Sequence, residues 1–247
     1  MSLRFEELAW SQTPIGAISL RRRFDPRFQV DVYEVKIDDE YLMSSLFTVA
    51  EIELARLALA AVSGDRLDVV VGGLGLGYTA RAVLEDPRVA SMIVIDALAE
   101  VIDWHERDLL PSAAALTRDP RSRLVCGDFF AMAAATGGAA GPFGQAAGGF
   151  DPATPGRRFD AVLLDVDHSP RQVLHPANAA LYTVDGMRRL AAQLRTGGVF
   201  ALWSNDPPDD DFIAVLRQVF TDVTAHVVSF ANPLQERDSA NTVYVAR

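Results

Sequence analysis

Hydrophobic and polar positions change period as the chain is followed. Between residues 16 and 47 they alternate two by two, most clearly in Phe28-Gln29-Val30-Asp31-Val32-Tyr33-Glu34-Val35-Lys36-Ile37, and Asp38-Asp39-Glu40 turns this run into Tyr41-Leu42-Met43. The pattern predicts a small N-terminal β region, residues 1–48, organised around a hairpin. Ile52, Ala55, Leu59 and Val62 then recur at helical spacing until Ser63-Gly64. Thr48, with Glu51 three residues later, has the form of a capping box, so a helix should open the main unit, residues 49–247.

Further on, short apolar runs alternate with helical stretches: Leu67 to Val71, Ser91 to Ile95, Arg123 to Val125, Phe159 to Leu164 and Val199 to Trp203. Continuous rather than alternating apolar strands predict a parallel sheet covered on both faces. Residues 133–158 are rich in Gly, Ala and Pro without periodicity and read as a flexible insertion, either a disordered segment or a lid. At the end, Asp222 to Phe230 and Asn241 to Ala246 are strand-like, and Ala231 to Ala240 is too short for a crossover helix, so they should pair as an antiparallel hairpin. The whole is an α/β chain with a doubly wound, Rossmann-like sheet closed by a reversed strand, which resembles the class I methyltransferase arrangement.

Composition narrows the function classes. Half the chain, 49%, is hydrophobic, enough for a buried core over 247 residues. A formal charge of −10, with Lys36 the single lysine, leaves no basic stripe for nucleic acid. One cysteine, Cys126, excludes an intrachain disulfide, and no CxxC pair or His cluster suggests a metal. The first residues lack a signal-peptide pattern and no run reaches a membrane span, so a cytoplasmic protein with no membrane partner is expected.

The candidate chemistry sits at strand ends. Leu67-Asp68-Val69-Val70-Val71 runs into Gly72-Gly73-Leu74-Gly75-Leu76-Gly77 ahead of a helix, a loop in which Gly73, Gly75 and Gly77 let the backbone approach a ligand, or simply make a strand-to-helix turn. The GxGxxG spacing of dinucleotide sites is absent. Asp96 closes the next strand 19 positions after Gly77, where a carboxylate can accept from ribose hydroxyls or cap the following helix, with Ala97 beside it. Gly127-Asp128-Phe129 ends the third strand; Asp128 can accept from an adenine amino group and Phe129 can pack nearby, or the pair is a turn. The fourth strand ends in Asp165-Val166-Asp167-His168, three ionisable side chains able to hold an ammonium or take a proton, with capping and solvated roles as the alternatives. Trp104-His105 reads as helix packing, and Arg21-Arg22-Arg23 as a solvated or subunit-contact charge run.

In order and spacing these pieces resemble the spermidine synthase family of aminopropyltransferases and its methyltransferase-like relatives. The resemblance rests on the glycine loop, Val94-Ile95-Asp96 to Leu110-Pro111, Gly127-Asp128, Asp165, and Leu181-Tyr182-Thr183 before Arg195-Thr196-Gly197-Gly198. It implies Asp96 on a ribose, Asp128 on an adenine, Asp165 near the reacting centre, and dimers, with the N-terminal hairpin as an interface. Three departures stand out. Gly75 occupies the place of the aspartate that contacts the aminopropyl amine; His168 falls where the second carboxylate of Asp-Ser-Ser-Asp-Pro would; and Glu51-Ile52-Glu53 lacks the Tyr-His before the family's Glu. The expectation is a transferase of S-adenosylmethionine, moving a methyl group to a small acceptor such as an amine. Aminopropyl transfer from decarboxylated S-adenosylmethionine to a polyamine is the alternative, and a non-catalytic nucleoside-binding protein a third.

Overall fold

A computed structural model describes residues 5–134 and 148–247. Four antiparallel strands, β1 (Phe5–Thr13), β2 (Gly16–Asp25), β3 (Val30–Ile37) and β4 (Glu40–Ser44), form a sheet in sequential order. The N-terminal region is thus a four-stranded sheet, larger than the expected hairpin, and it begins at β1, ahead of residues 16–47. β1 escaped the pattern because its register shifts between Glu7 and Ala9, which breaks the alternation of inward and outward residues. The three arginines of β2 pair across strands in this sheet, Arg21 with Glu7 at 3.7 Å, Arg22 with Glu6 at 2.6 Å and Arg23 with Glu34 at 2.8 Å, and Arg23 also bonds Asp25 of its own strand at 2.8 Å.

Helix α1 (Val49–Ala60) follows, but the capping box does not form: Thr48 makes no side-chain cap bond, and Glu51 turns into a cavity instead. Then come β5 (Leu67–Gly72), α2 (Tyr78–Glu85), β6 (Val89–Asp96), α3 (Ala99–Glu106), α4 (Ala113–Thr117), β7 (Ser122–Cys126), α5 (Phe129–Ala133), β8 (Phe159–Leu164), a 3-10 turn Pro176–Ala180, α6 (Val184–Ala191), β9 (Leu194–Ser204), α7 (Asp210–Arg217), β10 (Val223–Asn232) and β11 (Arg237–Ala246). The sheet order is β10-β11-β9-β8-β5-β6-β7, with β11 antiparallel to both neighbours and the pairs from β9 to β7 parallel. This is the doubly wound sheet with a reversed terminal strand.

Both faces of the sheet are buried, as the continuous apolar strands require. Val69, Val71, Ala161 and Leu163 face a core with Leu54, Ala58 and Trp104, which Ile18, Leu20 and Val35 of the small sheet join. Val70, Val162, Leu164 and Phe200 face a second core with Phe159, Leu190 and Tyr244. Part of the stretch 133–158 belongs to that second core. Phe150 is fully buried and stacks on Phe129 with centroids 4.9 Å apart, and buried Asp151 pairs with Arg123 and, at 3.0 Å, with Arg157. An aromatic ring and a salted carboxylate anchor residues 150–158; residues 135–147 lie outside the described part.

The strand starts, at the edge remote from the cavity described below, are tied by a charged network. Asp68 accepts from Arg157 at 2.8 Å, Arg195 at 2.5 Å and Ser91 at 2.7 Å, while Asp160 accepts from Arg195 at 2.5 Å and from the Asp68 amide at 2.7 Å. Four strands are thereby held in register at their N-terminal ends. Among the described residues no helix is long and apolar enough to cross a membrane.

Candidate functional site

The chain leaves β5 toward β6 and β7 and returns on the other side to β8, so β5 and β8 flank the switch point where open α/β sheets bind ligands. The Asp165 amide donates to the Gly72 carbonyl at 2.8 Å, and the Gly73 amide donates to Ile95 at 2.8 Å, which draws the ends of three strands together. Gly73 has φ 92°, and a Cβ there would stand 2.1 Å from the Asp165 carbonyl oxygen, so only glycine lets the loop lie against β8.

From above, Met43 of the small sheet closes on the loop: a Cβ at Gly75, whose φ is 46°, would meet its Sδ at 2.9 Å. From behind, His105 Nε2 donates to the Gly75 carbonyl at 2.9 Å, and Ser112 Oγ donates to the Leu76 carbonyl at 2.5 Å. A carbonyl can only accept, so the buried imidazole carries its proton on Nε2, and burial holds its pKa below the usual value. His105 is therefore a support of the glycine loop as well as the packing residue expected from sequence.

Asp96 faces the loop from the end of β6. Its Oδ2 accepts from the Leu74 amide at 2.9 Å and, more weakly, from Gly75 at 3.5 Å; its Oδ1 accepts from Leu98 at 2.9 Å. A carboxylate has about four acceptor sites, so Asp96 can clamp the loop and still take a hydroxyl. Ala97 lines the cavity beside it. Asp128 caps α5, accepting the Phe130 and Ala131 amides at 2.9 and 3.1 Å, both on Oδ1, which leaves Oδ2 for an outside donor. Phe129 lines the same end, with one face on Phe150 and its ring beneath Gly72. Gly127 does not reach the cavity: it is buried, and its amide donates to the Asp96 carbonyl at 2.9 Å.

At the other end, Asp165 Oδ2 accepts from Thr79 Oγ1 at 2.7 Å, and the same hydroxyl lies 3.2 Å from the Glu51 carbonyl. Burial pushes Asp165 up to about 6, and the Thr79 bond holds it lower than burial alone would. Burial, and then the charge of Asp165, pushes Glu51 up to about 8. Two carboxyl groups from α1 and β8 thus interact across the cavity and together retain a proton near neutrality. Glu51 is the functional candidate that helical spacing disguised as a capping residue.

Asp167, grouped with Asp165 in the sequence, points the other way. Its Oδ1 accepts from the Leu174 amide at 2.7 Å and Asn178 Nδ2 at 2.9 Å, its Oδ2 from Tyr182 Oη at 2.7 Å, and it is 1% exposed. Residues two apart in an extended run share a side, so it is the bend at Asp167 and His168 that turns this carboxylate inward, where buried Tyr182 and Asn178 give it its partners. We expect Asp167→Ala to cost about 2–4 kcal/mol of stability, because three donors lose a charged acceptor, while nucleoside affinity of the folded protein stays unchanged. Thermal unfolding and calorimetry on the same sample measure both; a loss of affinity without loss of stability would contradict this placement. His168 does line the cavity.

The glycine loop, Glu51, Asp96, Ala97, Asp128, Phe129, Asp165 and His168 border one cavity of about 680 Å³, inside the range of roughly 300–1,000 Å³ for small-molecule sites. It runs from Phe129 and Asp128 past the glycine loop to Glu51 and Asp165, where Met43, Phe47 and Phe230 close over it. Among the described residues no His, Cys, Asp and Glu cluster suits a metal ion.

No family model matches the chain, and no curated protein does. Solved structures do. A spermidine synthase in complex with the transition-state analogue AdoDATO superposes with a TM-score of 0.68 at 17% identity, over 97% of this chain and 73% of the other. A probable spermidine synthase from Corynebacterium glutamicum gives 0.61 at 16% identity, over 96% and 79%. Human methyltransferase-like protein 13, in complex with SAH, gives 0.51 at 17% identity, over 80% and 77%. The chain has the fold shared by spermidine synthases and methyltransferase-like proteins, and the match to the former extends over nearly all of it.

Proposed function

We propose that this chain is a transferase that binds an S-adenosylmethionine-type nucleoside on the glycine loop and transfers a carbon group from it to an amine. The observation that carries the reading is the Glu51–Asp165 carboxyl pair beside that loop, in the cavity that Asp96 and Asp128 also border. Asp96 suits ribose hydroxyls, Asp128 Oδ2 an adenine amino group, and Gly73, Gly75, Gly77, Ala97 and Phe129 the surface between. Bound there, the nucleoside supplies an electrophilic carbon on a sulfonium and leaves as a neutral thioether.

The residues of the chain do the rest. Asp165 and Glu51 hold the acceptor's ammonium and take one of its protons, which frees the nitrogen lone pair to form the new carbon–nitrogen bond as the carbon–sulfur bond breaks. His168 lines the same cavity. Positioning in line dominates such displacements, where effective molarities on the order of 10⁵ M or more arise from orientation alone. Methyl transfer is the first reading, because Gly75 under Met43 provides no carboxylate for the amine of a decarboxylated donor. Aminopropyl transfer is the second, favoured by Glu51, which restores an acidic partner to Asp165.

Incubation with each donor and a panel of amines, with nucleoside products resolved by mass spectrometry, separates the two. S-Adenosylhomocysteine is expected from the intact donor; methylthioadenosine from the decarboxylated one would give the second reading, and binding of neither donor by calorimetry would end both.

The raised Glu51 pKa carries its own prediction. With a folded value of about 8 against an ordinary 4.5, the folded chain holds this proton more tightly than the unfolded one. The associated stability is present below pH 4.5 and is lost as pH rises toward 8. Glu51→Gln is therefore expected to stabilise the ligand-free protein by about 4 kcal/mol at pH 8 and by under about 1 kcal/mol at pH 4.5. Denaturant unfolding at the two pH values tests it; a pH-independent difference would rule it out.

A further inference from the structure

The cavity has one acidic locus on its acceptor side, and that matters for the kind of amine it can hold. We infer that the acceptor is a monoamine, a single ammonium carried on an apolar body, rather than a diamine or polyamine; the inference rests on the amine-transfer reading above.

Each other carboxylate near the site is committed elsewhere. Asp167 is turned inward onto Tyr182, Asn178 and the Leu174 amide. Asp96 is clamped to the glycine loop and Asp128 caps α5 at the opposite end of the cavity. Asp238 borders the mouth but stands exposed at the start of β11, so its charge is screened by water. At the position where a second carboxylate would follow Asp165, the cavity is lined by His168.

One wall beside the acidic pair is apolar. Met43 overlies the glycine loop, and Phe47, four residues before Glu51, meets Phe230 of β10 with ring centroids 5.8 Å apart. Trp203 at the end of β9 continues this wall. A second ammonium against these side chains would lose its hydration without gaining a counter-charge, at a cost of several kcal/mol. Aromatic faces return only about 0.5–2 kcal/mol to a cation, so desolvation prevails. An alkyl or aryl body in the same place gains from burial instead, at about 25 cal/mol per Å² of apolar surface covered.

The test uses a matched pair of probes. The full chain, saturated with methylthioadenosine, is titrated calorimetrically with hexylamine and with 1,6-diaminohexane, which differ by one terminal ammonium. Hexylamine is expected to bind at least fivefold more tightly. Phe230→Glu, which places a carboxylate in the apolar wall, is expected to reduce or reverse that ratio. A wild-type ratio below five, or one favouring the diamine, overturns the monoamine inference and leaves amine transfer standing. Failure of both amines to bind a chain that has taken up the nucleoside overturns the amine reading itself, and this inference with it.

Discussion

Asp165→Asn is expected to lower turnover by about 10²–10⁴-fold while leaving nucleoside affinity within about threefold. Asparagine keeps the shape of the side chain and can still accept from Thr79, whose hydroxyl lies 2.7 Å from Asp165 Oδ2, but it cannot take a proton from an ammonium. Burial lifts Asp165 to about 6, which poises it to exchange a proton near neutrality. The wild-type rate should fall as pH falls through about 6, since the working form is the carboxylate. Thr79→Val removes the bond that holds this pKa down and should move that acid limb to higher pH. Steady-state rates across pH, with product quantified directly, test both statements. A loss under tenfold in Asp165→Asn, or an acid limb that stays put in Thr79→Val, would remove Asp165 from the proton-accepting role.

Gly73→Ala should be the most damaging conservative change in the loop. The added Cβ would sit 2.1 Å from the Asp165 carbonyl oxygen and 2.9 Å from its carbon, and both are backbone atoms that cannot rotate away. Its φ of 92° adds conformational strain of about 1–2 kcal/mol. A total cost above about 3 kcal/mol is expected, which for a chain of this size lowers the melting temperature by roughly 6–12 °C. Because relief of the clash must push β8 and the loop apart, the surviving folded protein should also bind nucleoside more weakly. Gly197→Ala is the control: its φ is 76°, but a Cβ there meets nothing within 4 Å, so it reports the strain alone. Equal melting temperatures for the two variants would show that the close approach to Asp165 has no energetic weight.

Much of the architecture was legible because burial on both faces leaves a plain trace. Val69-Val70-Val71 and Ala161-Val162-Leu163-Leu164 are apolar at every position, and the structure puts alternate members of each into different cores. The terminal hairpin was legible from loop length, since ten residues cannot carry a helix back across the sheet. What failed to appear was set by distant neighbours. Glu7 and Ala9 flank a register shift, so β1 has no steady period. Whether Glu51 turns back to its helix end or out toward Asp165 depends on a strand more than a hundred residues away. Asp165 and Asp167 look equivalent as letters, and only the positions of Tyr182 and Asn178 decide that one faces the cavity and the other the interior. Phe150 was hidden in a glycine-rich stretch, where a single aromatic ring carries no periodicity. The site was readable where it is local, in the loop and strand ends, and opaque where it is assembled from far apart.

The charged network at the strand starts gives the two ends of the sheet different constraints. Asp68, Asp160, Arg157 and Arg195 bind β5, β6, β8 and β9 together at the end away from the cavity, so the registry of the sheet does not depend on what lies at its mouth. Side chains such as His168, Phe230 and Asn241 project from segments that this frame already positions. A lineage carrying such a frame can exchange mouth residues singly, each intermediate still folding, and so pass from one acceptor to another without crossing an unfolded ancestor.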